Sequence, residues 1–235
     1  MDRRCIVVCD SGVGGLSLFS KLAKNLKGQS LLYYADFDNL PYGTKSKFEL
    51  EKIAEENFKK FLPFCPKMVV LACNTLSVNT LGKEFRYGVE TVRVLPKVKK
   101  DKRGLLLCTG ATAKSLYVKN LKSCNPMLDV LPLDGLAEDI ESALFFGKKI
   151  DLTTRFKNVS KSYDFVTLGC THYGFVEAEL RKIFPFSEFL NGENDTFEKI
   201  VNFVTTFDTD DHHCELCFIG SGAERVKSLY LKGFL

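Results

Sequence analysis

Two stretches of the sequence share one design and decide how the chain folds. Residues 68–75 (MVVLACNT) and residues 165–172 (FVTLGCTH) each run from apolar, β-favouring residues into a small residue, a cysteine and two hydrogen-bonding residues. A helix-like segment follows each stretch, as is typical of a parallel strand that leads into a helix. We therefore predict a site with pseudo-twofold symmetry, in which Cys73 and Cys170 approach a substrate from opposite sides.

The composition is that of a soluble globular protein with enough residues for a sizeable core. The chain has 235 residues, of which 45% are hydrophobic and 26% are charged, and its net charge is +4. The one dense basic patch, residues 97–103, lacks the interleaved aromatic residues of a nucleic-acid interface. We therefore predict a solvated loop there and no nucleic-acid partner.

Targeting signals are missing from the sequence. There is no run of about 18 apolar residues that could span a membrane, and the N-terminus lacks the apolar core of a signal peptide. The nine cysteines have no compact secreted spacing, which indicates reduced thiols. These features predict a cytoplasmic protein with no membrane association.

Strand-like and helix-like segments alternate along the chain, which implies parallel sheets with right-handed crossovers. The alternation restarts after Pro96. We therefore predict an α/β fold of two similar parallel-sheet α/β domains that face each other across a central cleft. The first domain is predicted to comprise residues 1–95 plus 193–235, with the C-terminal segment crossing back, and the second to comprise residues 96–192.

Periodicity predicts the individual elements. Helices are predicted over residues 16–26, 46–61, 75–85, 113–121, 135–146, 175–184, 192–207 and 223–231. Strands are predicted over residues 5–9, 31–36, 68–73, 90–95, 104–108, 127–133, 163–170 and 214–219.

The first strand runs into a glycine-rich turn, residues 10–15 (DSGVGG). Glycines let the backbone approach a ligand closely, and the following helix N-terminus directs amide groups at an anion. The glycine spacing fits neither the dinucleotide nor the P-loop pattern. Asp10 stands at the carboxyl end of the strand, where open α/β sheets bind ligands. A tight turn with an aspartate cap is the alternative explanation.

Most of the other cysteines lie in or beside apolar runs and are predicted to be core residues. Cys214 and Cys217 have a metal-like spacing and follow His212 and His213. Residues three apart on a strand point to opposite faces, and no second pair of ligands accompanies them. We therefore predict a strand here and no metal site.

Cys73 and Cys170 are each predicted to lie at the carboxyl end of a parallel strand, near a helix N-terminus. That position favours thiolate over thiol. Nucleophilic enzymes usually pair one cysteine with an adjacent histidine base. Two equivalent cysteines instead suit proton exchange at one carbon from opposite faces. One thiolate removes the proton and the opposite thiol returns one to the other side, so that the centre inverts.

An amino-acid α-proton is far less acidic than a thiol, so such a site must also stabilise a carbanion-like transition state. Asp10 can hold the ammonium group, and His172 can tune Cys170 or assist its proton transfer. Neither a Schiff-base lysine context nor a nucleotide loop occurs, and we predict no cofactor. The side chains that can donate hydrogen bonds to carboxylates and to an enolate-like oxygen are Ser11, Asn74, Thr75, Thr112 and Thr171.

With these residues in place, the chain resembles the glutamate racemases of the cofactor-independent aspartate/glutamate racemase superfamily. Five motifs carry the resemblance, in order: residues 10–15 (DSGVGG), 41–46 (PYGTKS), 72–75 (ACNT), 109–115 (TGATAKS) and 168–173 (LGCTHY). The resemblance implies interconversion of L- and D-glutamate, with D-glutamate feeding peptidoglycan synthesis. It also implies a homodimer.

The resemblance implies roles for individual residues as well. Cys73 and Cys170 match the two acid/base positions, and Asp10 and His172 match the other catalytic positions. The residues that match substrate contacts are Asp10, Ser11, Tyr42, Gly43, Asn74, Thr75, Thr109, Thr112, Thr171 and His172.

The chain departs from the family's pattern at four places. Ala35 and Leu95 replace a usual glycine and a usual glutamate, and Gly174 stands where proline is usual. The family's Val-Pro-Leu-Val-Glu stretch corresponds to residues 131–135 (LPLDG), so its glutamate is predicted to be absent or replaced by Asp134. An aspartate or other small-acid racemase, and a catalytically weakened ligand-binding relative, are the alternatives.

Overall fold

The computed structural model describes residues 5–83, 88–207 and 215–233. Within these ranges the strands are β1 (Ile6–Asp10), β2 (Leu31–Ala35), β3 (Met68–Leu71), β4 (Glu90–Arg93), β5 (Gly104–Cys108), β6 (Leu128–Pro132), β7 (Phe165–Gly169), β8 (Glu188–Leu190) and β9 (Leu216–Gly220). The α-helices are α1 (Leu16–Asn25), α2 (Lys47–Phe61), α3 (Asn74–Asn79), α4 (Gly110–Lys114), α5 (Leu116–Cys124), α6 (Leu136–Phe146), α7 (Leu152–Arg155), α8 (Glu177–Ile183), α9 (Glu193–Phe207) and α10 (Ala223–Leu231).

The strands form two parallel sheets, and each sheet with its helices is called a domain below. The first has the order β4-β3-β1-β2-β9 and the second the order β6-β5-β7-β8. The strands that lead to the two cysteines, β3 and β7, take equivalent places beside β1 and β5. The predicted fold class of two similar parallel-sheet α/β domains is confirmed.

Helices cover both faces of each sheet, so the central strands β1, β2, β3, β5 and β7 are buried along their whole length. In β1, Ile6 and Val8 pack into the core beneath α1, α9 and α10. Val7 and Cys9 point the other way, into the core beneath α2. This burial on both sides explains why β-branched runs identified the central strands from sequence.

Three predicted helices are wrong in extent. The helix predicted over residues 75–85 ends at Asn79, because Thr80 closes its last turn through the carbonyl of Leu76 and Gly82 adopts a φ of +80°. The helix predicted over residues 113–121 is two helices, α4 and α5. Ser115 separates them, since its hydroxyl donates to the carbonyl of Thr112 and accepts the amide of Val118.

The helix predicted over residues 175–184 also differs, because a 3₁₀ helix over Thr171–Val176 precedes α8. The strand β8 and the one-turn helix α7 were not predicted, since each is too short to show periodicity. The strand predicted over residues 214–219 corresponds to β9, and Cys214 lies outside the described residues. No helix in the described ranges is both long enough and apolar enough to cross a membrane.

The chain crosses between the sheets after β4 and again before α9. At these crossings the two backbones touch, because a side chain on Gly192 would lie 2.1 Å from the carbonyl oxygen of Leu95. The strand β9 then joins the first sheet beside β2. The domain boundaries given above, residues 1–95 plus 193–235 and residues 96–192, stay a prediction.

Candidate active site

The residues at the carboxyl ends of β1, β3, β5 and β7 enclose a small cavity between the two domains. Its volume is about 20 Å³, room for about one water molecule. A substrate amino acid therefore requires the cleft to open. The candidate residues that line the cavity are Ser11, Tyr42, Gly43, Cys73, Thr75, Thr109, Cys170 and His172.

Cys73 occupies the N-cap position of α3 and is 5% exposed. The hydroxyl of Ser11 donates to its sulfur over 3.9 Å. Burial and the nearby charge of Asp10 raise the pKa of the Cys73 thiol, and the backbone amide of Leu76 lowers it by less. The prediction that this position favours thiolate is wrong for Cys73, because loss of hydration outweighs the short helix behind it.

Cys170 begins the 3₁₀ helix on the opposite side of the cavity. Its sulfur lies 3.9 Å from Nδ1 of His172. Nε2 of the same ring lies 2.8 Å from Oε1 of Glu141, which indicates that Nε2 carries a proton. Burial lowers the pKa of His172, but the contacts with Cys170 and Glu141 together outweigh burial and raise this pKa well above its ordinary value.

Glu141 is the functional candidate that sequence reasoning missed. It projects from the middle of α6, and its Oε1 also accepts the backbone amide of Val13 over 3.2 Å. The stretch 131–135 has no glutamate, and the expectation that the family's glutamate is absent or replaced by Asp134 stays a prediction. Glu141, at a different position, supplies a buried carboxylate. Asp134 instead accepts the amide of Gly110 over 2.7 Å.

A signal for Glu141 was present in the sequence. Leu136 and Ile140 mark the buried face of α6, and Glu141 stands at the edge of that face by helical spacing. A glutamate there has to find a partner in the interior. The partner was not identifiable from helical periodicity.

Asp10 is fully buried and does not line the cavity in this closed arrangement. Its Oδ1 accepts the amide of Gly12 over 3.0 Å, and its Oδ2 accepts the hydroxyl of Thr171 over 3.1 Å. The second bond crosses from one domain to the other. Burial raises the pKa of Asp10, and the positive charge of His172 opposes that effect.

Three threonine hydroxyls form a closed ring where the domains meet. The Oγ1 atoms of Thr75 and Thr109 are 2.9 Å apart, and those of Thr109 and Thr112 are 3.0 Å apart. Oγ1 of Thr112 lies 3.2 Å from Oγ1 of Thr75. Thr75 and Thr109 line the cavity, whereas Thr112 is fully buried. Asn74 lies behind the wall, where its amide donates to the carbonyl of Val94 over 3.2 Å.

Tyr42 reaches the cavity from the turn between β2 and α2. Its hydroxyl donates to Oδ2 of Asp36 over 2.6 Å, and Asp36 also accepts the side-chain amides of Asn39 and Asn57. Asp36 is fully buried. This network holds the turn so that Gly43 abuts Thr109 of the other domain.

The other cysteines that the structure describes are unpaired. The eight cysteines in the described ranges are all free thiols. Residues 212–214, which belong to the metal alternative considered from sequence, lie outside those ranges. Within the ranges, no group of three or more His, Cys, Asp or Glu residues could hold a metal ion.

Comparisons with known proteins place the chain among amino-acid racemases. The glutamate racemase of Carboxydothermus hydrogenoformans is 37% identical over 193 residues, covering 77% of this chain and 72% of that protein. A scan against protein-family models finds no match.

Solved structures agree with the sequence comparison. The glutamate racemase of Campylobacter jejuni aligns with a TM-score of 0.78 and 27% identity, covering 97% of each chain. That of Francisella tularensis, solved in complex with D-glutamate, aligns at 0.79 and 23% identity over 99% of this chain and 95% of that one, which is a likeness of fold. The fold and these relatives define an isomerase that acts on amino acids. The chain belongs to the glutamate racemase family.

Proposed function

We propose that this chain interconverts L- and D-glutamate without a cofactor, with Cys73 and Cys170 as the two acid/base residues. One observation carries the proposal. The two thiols follow equivalent strands of two separate sheets and line the same cavity. Two proton-exchanging groups on opposite walls are what inversion at one carbon requires.

The two cysteines differ in the charged groups that surround their sulfur atoms. Cys73 has a raised pKa and is a thiol at neutral pH, which suits the proton donor. His172 has a raised pKa and places a positive charge 3.9 Å from the sulfur of Cys170, which suits a thiolate. In one direction Cys170 takes the α-proton and Cys73 delivers its own to the opposite face. The reverse direction exchanges the roles.

The carbanion formed at Cα delocalises into the α-carboxylate, whose oxygens then need hydrogen-bond donors. The hydroxyls of Thr75 and Thr109 face the cavity and are proposed to donate to that group. In the closed structure the two hydroxyls hydrogen-bond to each other. A bound carboxylate would replace this hydrogen bond, so both hydroxyls have a partner with and without substrate. Ser11, Tyr42 and the backbone at Gly43 are proposed as further substrate contacts.

Asp10 is proposed to hold the substrate's ammonium group once the cleft opens. Opening separates Asp10 from Thr171, because these residues belong to different domains. A carboxylate oxygen beside Ser11 and Cys73 is then available to a cation. Asn74, Thr112 and Thr171 are proposed to orient the groups that touch substrate.

The decisive experiment measures racemisation of each glutamate enantiomer by circular dichroism, and α-proton exchange in deuterated water by NMR. The intact chain is expected to do both. Cys73→Ala and Cys170→Ala are each expected to lose racemisation by at least about 10³-fold, and each can still exchange the proton of one enantiomer. Cys65→Ala, at an exposed free thiol, is the matched control. Full racemisation in either active-site variant would contradict the two-base mechanism.

The same assay tests the alternative substrate. Aspartate is to be run beside glutamate, and faster exchange with aspartate would assign the chain to a small-acid racemase instead. Exchange with neither acid, in a folded protein, would favour the ligand-binding relative.

We further propose a cytoplasmic homodimer that supplies D-glutamate for peptidoglycan synthesis. The family relationship and the free thiols support this proposal. Growth of a bacterial D-glutamate auxotroph that expresses the chain tests the biosynthetic role. Light scattering tests the dimer.

A further inference from the structure

Glu138 is a carboxylate in the wall of the active-site cavity that has no role in the proposed racemisation. It lies in the first turn of α6 and lines the cavity together with Cys73 and Cys170. Its side chain is half-buried, and it makes no hydrogen bond or ion pair with any residue that the structure describes. A carboxylate in this position acts on the ligand that the cavity holds.

Two other carboxylates near the cavity are already engaged. Asp134, which also lines the cavity, accepts the amide of Gly110 over 2.7 Å. Oε1 of Glu141 lies 2.8 Å from Nε2 of His172. Glu138 is therefore the carboxylate of this wall that is available to a ligand.

The cavity wall has an excess of negative charge. Among the described residues that line it, none is a lysine or an arginine. The charge of His172 is opposed by Glu141 on one side and by Cys170 on the other. Burial, and then nearby negative charges that include Glu138, raise the pKa of the Tyr173 phenol behind this wall. A second carboxylate on a ligand would therefore be repelled here without a compensating cation.

The proposed binding mode leaves one direction for the substrate side chain. The α-carboxylate is assigned to the two threonine hydroxyls, the ammonium group to Asp10, and the two cysteines to opposite faces of Cα. The part of the cavity that remains is bounded by residues 40–44 of the first domain, and by residues 133–135, Ala137 and Glu138 of the second. The distal end of the substrate side chain therefore approaches Glu138.

We propose that Glu138 is a specificity-determining residue that weakens the preference for a distal carboxylate and admits a distal primary amide, so that glutamine is a second substrate. The inference rests on the proposed racemase function, and the reaction is the same removal and return of a proton at Cα. The N–H of a distal amide donates to the Glu138 carboxylate, whereas a distal carboxylate is repelled by it in the closed cavity. Glutamate and glutamine have almost the same size, so charge and hydrogen bonding decide between them.

The test measures kcat/KM for α-proton exchange in deuterated water with glutamate and with glutamine, in the intact chain and in Glu138→Gln. The intact chain is expected to exchange both amino acids. In the variant, the ratio of kcat/KM for glutamate to kcat/KM for glutamine is expected to rise at least about tenfold. The repulsion of the distal carboxylate is removed there, while the hydrogen bond to the distal amide loses its charge assistance.

A ratio of two substrates separates this role from a structural one. Glu138 also complements the positive end of α6, but loss of that effect would change kcat/KM for both substrates alike. Asp139→Asn is the control, since it removes the same charge from the next position of α6, which is exposed and pairs with Arg155.

An unchanged ratio in Glu138→Gln, or an equal rise in Asp139→Asn, would overturn the inference. Exchange of glutamate without exchange of glutamine in the intact chain would also overturn it and would leave the proposed racemase standing. Exchange of neither amino acid would contradict the proposed function, and this inference with it.

Discussion

Oε1 of Glu141 lies 2.8 Å from Nε2 of His172, and both side chains are almost completely buried. The same oxygen accepts the amide of Val13 in the glycine-rich turn of the first domain. Gly12 permits this approach, since a side chain there would lie 1.9 Å from that oxygen. One carboxylate thus joins the histidine beside Cys170 to the facing domain.

Glu141→Gln is expected to lower kcat for glutamate by at least about tenfold, because general acid–base groups contribute about 10²–10⁴-fold and His172 would lose its charged partner. The amide keeps the size of the side chain, so the fold is retained. Steady-state kinetics with both enantiomers measure the effect. Glu179→Gln, at an exposed position of α8, is the control. A Glu141 variant with unchanged kcat would remove the carboxylate from the mechanism.

The same variant has a predictable pH dependence of stability. The pKa of His172 is raised above its unfolded value of about 6.5. Protonated His172 therefore contributes stability that is present below about pH 6.5 and is lost as pH rises through the raised pKa. The unmodified chain should therefore have a larger free energy of unfolding than Glu141→Gln at low pH. The difference between the two free energies should narrow as pH rises. Urea denaturation across pH measures this gap, and a gap that widens with pH would contradict it.

Asp10→Asn is expected to make Cys73 more reactive. The charge of Asp10 is among the causes that raise the pKa of that thiol, so removing it increases the thiolate fraction at about pH 8. Alkylation by iodoacetamide, followed peptide by peptide by mass spectrometry, reports the rate at Cys73. Asp38→Asn, at an exposed position, is the control. Equal Cys73 rates in the two variants would show that burial alone sets its acidity.

Asp10→Asn is also expected to stabilise the fold while it impairs catalysis. Burial raises the pKa of Asp10, so its ionised form costs stability once pH exceeds the unfolded value of about 3.9. The amide can keep the contacts with Gly12 and Thr171. A gain of about 1 kcal/mol corresponds to a Tm increase of about 2–4 °C. Calorimetry should find a larger increase at neutral pH than at about pH 4, and a lower Tm at neutral pH would refute this.

Gly43→Ala is expected to hinder closure of the cleft. A methyl group on Gly43 would lie 2.9 Å from Cβ and 3.0 Å from Cγ2 of Thr109. These residues belong to opposite domains, so the clash displaces one wall of the site and lowers kcat/KM by about 10²-fold. Gly174→Ala is the control, since its methyl group meets nothing within 4 Å. Equal kcat/KM in the two variants would show that this contact does not limit closure.

Thr109→Val is expected to raise KM for glutamate by about tenfold and to destabilise the fold by about 1 kcal/mol. The change removes a hydroxyl that lines the cavity and that accepts the amide of Thr112 at the start of α4. Thr109→Ser keeps both functions and is expected to restore KM. Kinetics and thermal denaturation of the two variants separate the substrate contact from the helix cap.

The central strands and their order along the chain could be predicted because each is a short apolar run buried on both faces. The break at Ser115 could not, because the apolar spacing continues across it. There the serine hydroxyl offers the backbone alternative hydrogen bonds, with Thr112 and Val118. The spacing of apolar residues therefore predicted the locations of the helices more accurately than it predicted their ends.

By itself the sequence determined the alternation of strands and helices, and the placement of Cys73 and Cys170 at two strand ends, because these depend on residues close along the chain. Only the tertiary structure decided that Glu141 faces His172 and that Cys73 is a buried, weakly acidic thiol. Both depend on groups far apart in sequence, such as Asp10 near Cys73. Burial and charge act through space, so they are set only when the two domains meet.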